Sequence, residues 1–169
     1  GVPASNDFSM GQTYTAEVWV NWAGLGGRQY QFLMNYGWGA SANAFRLQMD
    51  DGKPGIMMND QDLFWSNQAL STNAWHHVAF VYDNGLVRLY VDGTQVGSTT
   101  GVSSAASRAS GSALILGGLD LFPGDYALNG SISQARISSS ALYSGNFTPA
   151  STFSTTSNTI GLWGFDEST

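Results

Sequence analysis

The sequence predicts an all-β fold, a two-sheet antiparallel β-sandwich of the jelly-roll kind, and three observations carry that reading. Short apolar and β-branched runs recur along the 169 residues, with turn residues between them. No helical period of useful length interrupts them. The stretch from Asn73 to Gly97 (N-A-W-H-H-V-A-F-V-Y-D-N-G-L-V-R-L-Y-V-D-G-T-Q-V-G) reads as three consecutive strands joined at Asn84-Gly85 and Asp92-Gly93. Asn-Gly and Asp-Gly between alternating apolar runs signal hairpins, because the tightest hairpin turns need positive φ at both central residues. Many short strands at such spacing build a sandwich or jelly roll.

In chain order, strands are expected at Thr13–Trp22, Gln31–Tyr36, Ala44–Met49, Gly55–Met58, Trp75–Tyr82, Leu86–Val91, Thr94–Ser98, Ala113–Leu116, Leu128–Ile137 and Thr159–Phe165. Asp50-Asp51-Gly52 reads as a hairpin turn. The Ser/Ala/Gly-rich stretch from Gly101 to Ser112 reads as a loop. Ser139 to Tyr143 is short enough for one helical turn. Asn146 to Thr156, with Pro149 inside it, reads as an irregular crossover along the surface. The length suits a single domain, residues 1–169, with a sizeable core.

Composition narrows the function classes. The apolar share is 43%, which excludes a disordered chain. The net charge is −6 with only six basic residues, so the counterion-releasing patch that nucleic acid requires is missing from the sequence. An anionic membrane surface is disfavoured for the same reason, and no apolar run approaches a membrane span. Cysteine is absent, so stability rests on burial or on a bound metal. Low charge with abundant Ser, Thr, Asn and Gly suits an extracellular, cell-surface or virion setting. The opening Gly1-Val2-Pro3 is read as following a removed leader or upstream segment.

The pattern W-H-H-V-A…L-Y-V-D-G, from Trp75 to Gly93, resembles the laminin-G-like, concanavalin A-like sandwich domains. The resemblance spans nearly the whole chain. Thr15-Ala-Glu-Val-Trp-Val-Asn21 is similar to the opening strand of these domains. Leu128 to Ser138 is similar to their penultimate strand, with Ser133 and Gln134 where an acidic pair is usual. Ala141 to Pro149 resembles a tail of bacterial and phage members, and Asn158 to Asp166 their closing strand. The resemblance implies recognition: a noncatalytic lectin-like or adhesive module that binds carbohydrate or another surface ligand. The alternatives are a structural component of an extracellular or phage-tail assembly and, third, a glycoside hydrolase. Family members also carry a strand upstream of the position of Val2, paired with the closing strand. Its place at the Thr159–Phe165 edge is therefore expected to be filled by an upstream segment or a neighbouring subunit.

Three constellations bear on chemistry. Concanavalin A-like glycosidases hold paired carboxylates on one strand as E-x-D-x-x-E. Here Glu occurs only at Glu17 and Glu167, and neither stands in such a pattern. His76 and His77 are neighbours on a strand, so they point to opposite faces and cannot share a metal. The residue types of a Ser-His-Asp arrangement are present without a sequence signature. Acidic turns are the second constellation: Asp50-Asp51-Gly52, Asn59-Asp60-Gln61-Asp62 and Asp120 to Asp125. Ca²⁺ takes about six to eight oxygens, often from loops. The family resemblance implies a rim Ca²⁺ held by Asn43, Asp120 and Asp125. Aromatics beside turns are the third: Trp38, Trp65, Phe122 and Tyr126 are the expected ligand-binding residues, since sugar rings stack their C–H faces on aromatic rings. Trp19, Trp75 and Trp163 lie within strands and are read as core or sheet-face residues.

Overall fold

The computed structural model describes residues 10–37, 45–103, 113–118 and 124–165. Within them lie β1 (Thr13–Trp22), β2 (Tyr30–Tyr36), β3 (Phe45–Asp50), β4 (Lys53–Met58), β5 (Gln61–Trp65), β6 (Trp75–Asp83), β7 (Leu86–Val91), β8 (Thr94–Thr99), β9 (Leu114–Leu116), β10 (Gly130–Ser138) and β11 (Thr159–Gly164). They form a six-stranded sheet in the order β11-β10-β1-β6-β7-β8 and a five-stranded sheet in the order β5-β4-β3-β2-β9. Every ladder is antiparallel. The sandwich expected from the sequence is the one observed.

Turn chemistry sets the register. Asp51-Gly52, Asn59-Asp60, Asn84-Gly85 and Asp92-Gly93 each join adjacent strands with positive φ at both residues. That is the twist which matches paired strands, and Asn and Asp tolerate it after Gly. Gly93 is needed twice over. Its φ is +77°, and a Cβ there would run into the Phe147 carbonyl of the crossover.

Between the sheets, alternate residues of each strand interdigitate. Tyr14, Val18, Phe80 and Ile137 from one sheet meet Leu33, Phe45, Leu47 and Ile56 from the other, all fully buried. Tyr14 stacks on Tyr82 at 5.2 Å and meets Phe80 edge-on at 5.7 Å, a geometry that ring quadrupoles favour. The other face of the six-stranded sheet is covered too. The irregular chain between β10 and β11 crosses it, and Ala141, Tyr143 and Phe147 cover Ala79, Val81 and Tyr90. This explains why β6 is buried from His77 through Tyr82 without alternation.

Two expectations are corrected. Ser139 to Tyr143 is irregular, with no helical turn. Its backbone is held by the sheet: Leu142 N donates to Thr15 Oγ1, and Thr15 Oγ1 donates to the Ser140 carbonyl. Residues 59–62 are not an acidic loop. Asn59-Asp60 is the turn, and the next strand begins at Gln61.

Candidate functional site

The face of the five-stranded sheet turned away from the core carries a polar and aromatic grid. Register places Phe32, Gln48, Gly55 and Trp65 in one row across β2, β3, β4 and β5. With strands about 4.8 Å apart, the row spans about 14 Å. Bulges at Phe32–Met34 and Ile56–Met57 re-aim the strands so that Asn35, Arg46, Met57 and Asp62 form the neighbouring row on that face. Trp65 lies over Gly55, where any Cβ would collide with the indole. At the opposite end Tyr126 stacks on Phe32, with centroids 4.9 Å apart and planes 18° from parallel. Two expected ligand-binding residues, Trp65 and Tyr126, therefore mark the two ends of one row.

Between them the groups are polar. Gln48 Nε2 donates to Asp62 Oδ1 at 3.2 Å, and Arg46 Nη2 pairs with Asp60 Oδ1 at 2.7 Å. Asn35 is 3% exposed, and its Oδ1 has no hydrogen-bond partner. A buried amide oxygen without a donor is costly, and a ligand hydroxyl or a water relieves that cost.

Beside this face lies a rim cleft of about 550 Å³, bounded by the β1–β2 loop and by Gly124, Asp125 and Tyr126. One amide ties both walls together. Gln31 Nε2 donates to the carbonyls of Gly24 and Leu25, and Gln31 Oε1 accepts from Asn129 N at 2.7 Å. Arg28 Nε donates to the Gly124 carbonyl. Asp125 is exposed in this cleft, and Arg28 shares its lining. Among the described residues no three His, Cys, Asp or Glu side chains converge. One carboxylate beside a guanidinium does not fit a Ca²⁺ site by itself. Asn43, Asp120, Trp38 and Phe122 lie outside the described residues.

Glu17 and the paired histidines have other roles. Glu17 is fully buried beneath the crossover. Its Oε2 accepts from His77 Nε2 and the Tyr143 hydroxyl, each at 2.8 Å, and its Oε1 from Arg136 Nε at 2.7 Å. Burial alone would raise its pKa. Hydrogen bonds and charge from His77 and Arg136 outweigh burial and hold the carboxyl below its usual range. Burial first, then the Glu17 charge, push the Tyr143 hydroxyl up, so it remains a donor. With its hydrogen bonds committed and no water contact, Glu17 holds the crossover down and reaches no substrate. The histidines do face opposite ways. His76 sits between Ser71 Oγ and Asp92 Oδ2, each at 2.7 Å. This Ser71–His76–Asp92 chain has the connectivity of a nucleophilic triad, which sequence spacing did not reveal. It lacks the sheltered acid: Asp92 is exposed and also accepts from His77 N, while the nearby Asn73 N–H is spent on the Trp22 carbonyl. It fastens the loop before β6 to the β7–β8 turn.

The comparisons with known proteins agree with this architecture. Among curated proteins none matches the sequence. Solved structures do. A Bacteroides ovatus ATCC 8483 protein proposed to bind carbohydrate is 19% identical with a TM-score of 0.67, covering 84% of this chain. This chain spans 41% of that protein's length. The CBM40 of the Ruminococcus gnavus IT-sialidase, bound to α2,3-sialyllactose, is 17% identical with a TM-score of 0.64 and coverage of 85% and 88%. Domain 4 of a GH43 extracellular arabinanase from Geobacillus stearothermophilus, in complex with arabinotriose, is 22% identical with a TM-score of 0.61 and coverage of 86% and 67%. At these identities the likeness is one of fold. A family model described as the concanavalin A-like lectin/glucanases superfamily matches residues 2–146. Matched over most of its length and folded as that match requires, the chain belongs to the concanavalin A-like lectin/glucanase superfamily.

Proposed function

We propose that this chain is a noncatalytic carbohydrate-binding module, whose glycan lies across the outer face of the five-stranded sheet between Tyr126 and Trp65. The observation that carries this is the Phe32–Gln48–Gly55–Trp65 row, aromatic at both ends and amide-lined between. A row of about 14 Å accommodates a short oligosaccharide. The partly exposed rings of Trp65 and Tyr126 at its ends meet sugar C–H faces, and the exposed Asp62, which accepts from Gln48, meets hydroxyls. Fold relatives solved with sialyllactose and arabinotriose support the ligand class. The reading includes Trp38 and Phe122 as further ligand-binding residues and an extracellular place of work.

A glycan array followed by calorimetry on the strongest hit tests it. Trp65→Ala is expected to weaken binding about tenfold or more, as truncation of a Trp anchor does. Hydrolysis of the same glycans is expected to stay at background. An unchanged affinity in a folded Trp65→Ala protein contradicts the placement.

An assembly role is the second reading, and one observation favours it. β11 lies at the end of its sheet and, among the described residues, pairs with β10 alone. Its residues, Thr159 to Gly164, carry no charge and no Pro to discourage another strand.

A further inference from the structure

Trp19 and Trp75 are unused by that reading. Both were expected to be core or sheet-face residues, and both lie on the outer face of the six-stranded sheet. Register sets Trp19 opposite His77 and Asn21 opposite Trp75, so the two indoles are diagonal neighbours on β1 and β6. With Ser133, Gln134, Ser151 and Thr152 they line a groove of about 360 Å³, where the crossover leaves the sheet uncovered. Trp75 is 47% exposed, high for so large an apolar side chain.

The groove is held rigid from below and from the side. Trp19 Nε1 donates to the Ala150 carbonyl at 3.0 Å, and its ring meets His77 edge-on at 5.5 Å. Gln134 Nε2 donates to the Ser151 carbonyl, and Gln134 Oε1 accepts from Phe153 N. The crossover wall is thereby fixed to β10. A platform already ordered before binding loses little side-chain entropy when a ligand arrives. The chemistry of the lining selects the occupant. Two indoles offer electron-rich faces, the Ser and Thr residues offer hydroxyls, and no lining residue carries a charge. A charged sugar finds no counter-ion here, whereas a neutral pyranose finds a stacking face and hydrogen-bonding neighbours.

We propose that this groove is a second carbohydrate subsite, which takes a neutral pyranose stacked on Trp75 against the Ser151–Thr152 wall. It extends the carbohydrate-binding reading to the opposite sheet and does not depend on the Trp65 face. Two subsites on opposite sheets would let one module engage two chains or two branches of a glycan, with a gain in avidity.

The test follows indole N–H signals of the intact chain by NMR while lactose, maltotriose and cellotriose are added separately. The Trp75 and Trp19 signals are expected to shift saturably with at least one of the three. Trp75→Ala is expected to weaken that response about tenfold or more, and Trp75→Tyr, which keeps a ring, to retain most of it. A preserved amide spectrum shows that each variant is folded. Shifts confined to Trp65 overturn the second subsite while leaving the five-stranded-sheet reading intact. An unchanged affinity in Trp75→Ala, or no Trp75 shift with any of the three sugars, overturns it as well.

Discussion

The residue that most repays attention is Glu17. Among the described residues it is the one carboxylate buried out of contact with water, and it is tied to two basic side chains and a phenol. Removing it with Glu17→Ala leaves Arg136 and His77 beneath the crossover without their anion. That is expected to cost about 3–5 kcal/mol by chemical denaturation, the scale of a broken buried pair. Its pH dependence follows from the direction of its shift. The folded carboxyl is held below its usual range, so its stabilisation is fully present above the unfolded value, about 4.3, and is lost as pH falls through the folded value. Tyr143 acts at the other end of the scale. Its folded pKa is raised, so above about pH 10 the unfolded chain ionises first and stability declines. A melting profile should therefore show an acid limb that Glu17→Gln flattens and a decline above about pH 10. Sequence reading weighed Glu17 only as a catalyst and dismissed it for want of a second acid. Its true partner, Arg136, stands 119 residues away, and only the pairing of β1 with β10 reveals it.

At the scale of elements, the turns were legible and the crossovers less so. Asn84-Gly85 and Asp92-Gly93 announce their conformation in two letters, and the hairpin follows. β5 was missed for a physical reason. Asn59-Asp60 looks like loop chemistry, and the bulge between Ile56 and Met57 breaks the alternation that would have exposed Gln61–Trp65 as a strand. That omission also hid the row which joins Trp65 to Tyr126. The turn argument makes a comparative prediction. Gly93→Ala meets both a positive φ and the Phe147 carbonyl, whereas Gly101→Ala has a φ of +75° and nothing within 4 Å. Gly101→Ala should cost about 1 kcal/mol. Gly93→Ala should cost about 2–3 kcal/mol by chemical denaturation, because the crossover must also move. The edge strand is tested by hydrogen exchange at Ile160 to Trp163 in the isolated chain. The assembly reading expects fast exchange that slows when a strand-donating partner is added. Slow exchange in the monomer would remove its motivation.

For the whole molecule, the fold class followed from strand spacing and turn chemistry, while the candidate site was legible only in part. Trp65 and Tyr126 were recognised as aromatics near turns, and the structure relates them through the five-stranded sheet. Trp75 was read as a core or sheet-face residue and lies on a sheet face, but its exposure depends on where the crossover stops covering that face. The rim Ca²⁺ implied by Asn43, Asp120 and Asp125 remains a proposal. A metal that binds only the folded chain would add about 2.7 kcal/mol at a hundredfold excess over Kd, so Tm with Ca²⁺ should exceed Tm with chelator by several degrees. Coincident melting curves would remove that site.

The central claim is that glycan is held on the outer face of the five-stranded sheet. Its most direct test is an amide chemical-shift map of the intact chain, titrated with the oligosaccharide that binds best on the array. The account predicts saturable shifts concentrated in β2 to β5 and at Tyr126, all of which need about tenfold or more ligand to saturate in folded Trp65→Ala. A map in which these strands stay silent while the glycan binds elsewhere, or an intact response in Trp65→Ala, would contradict it.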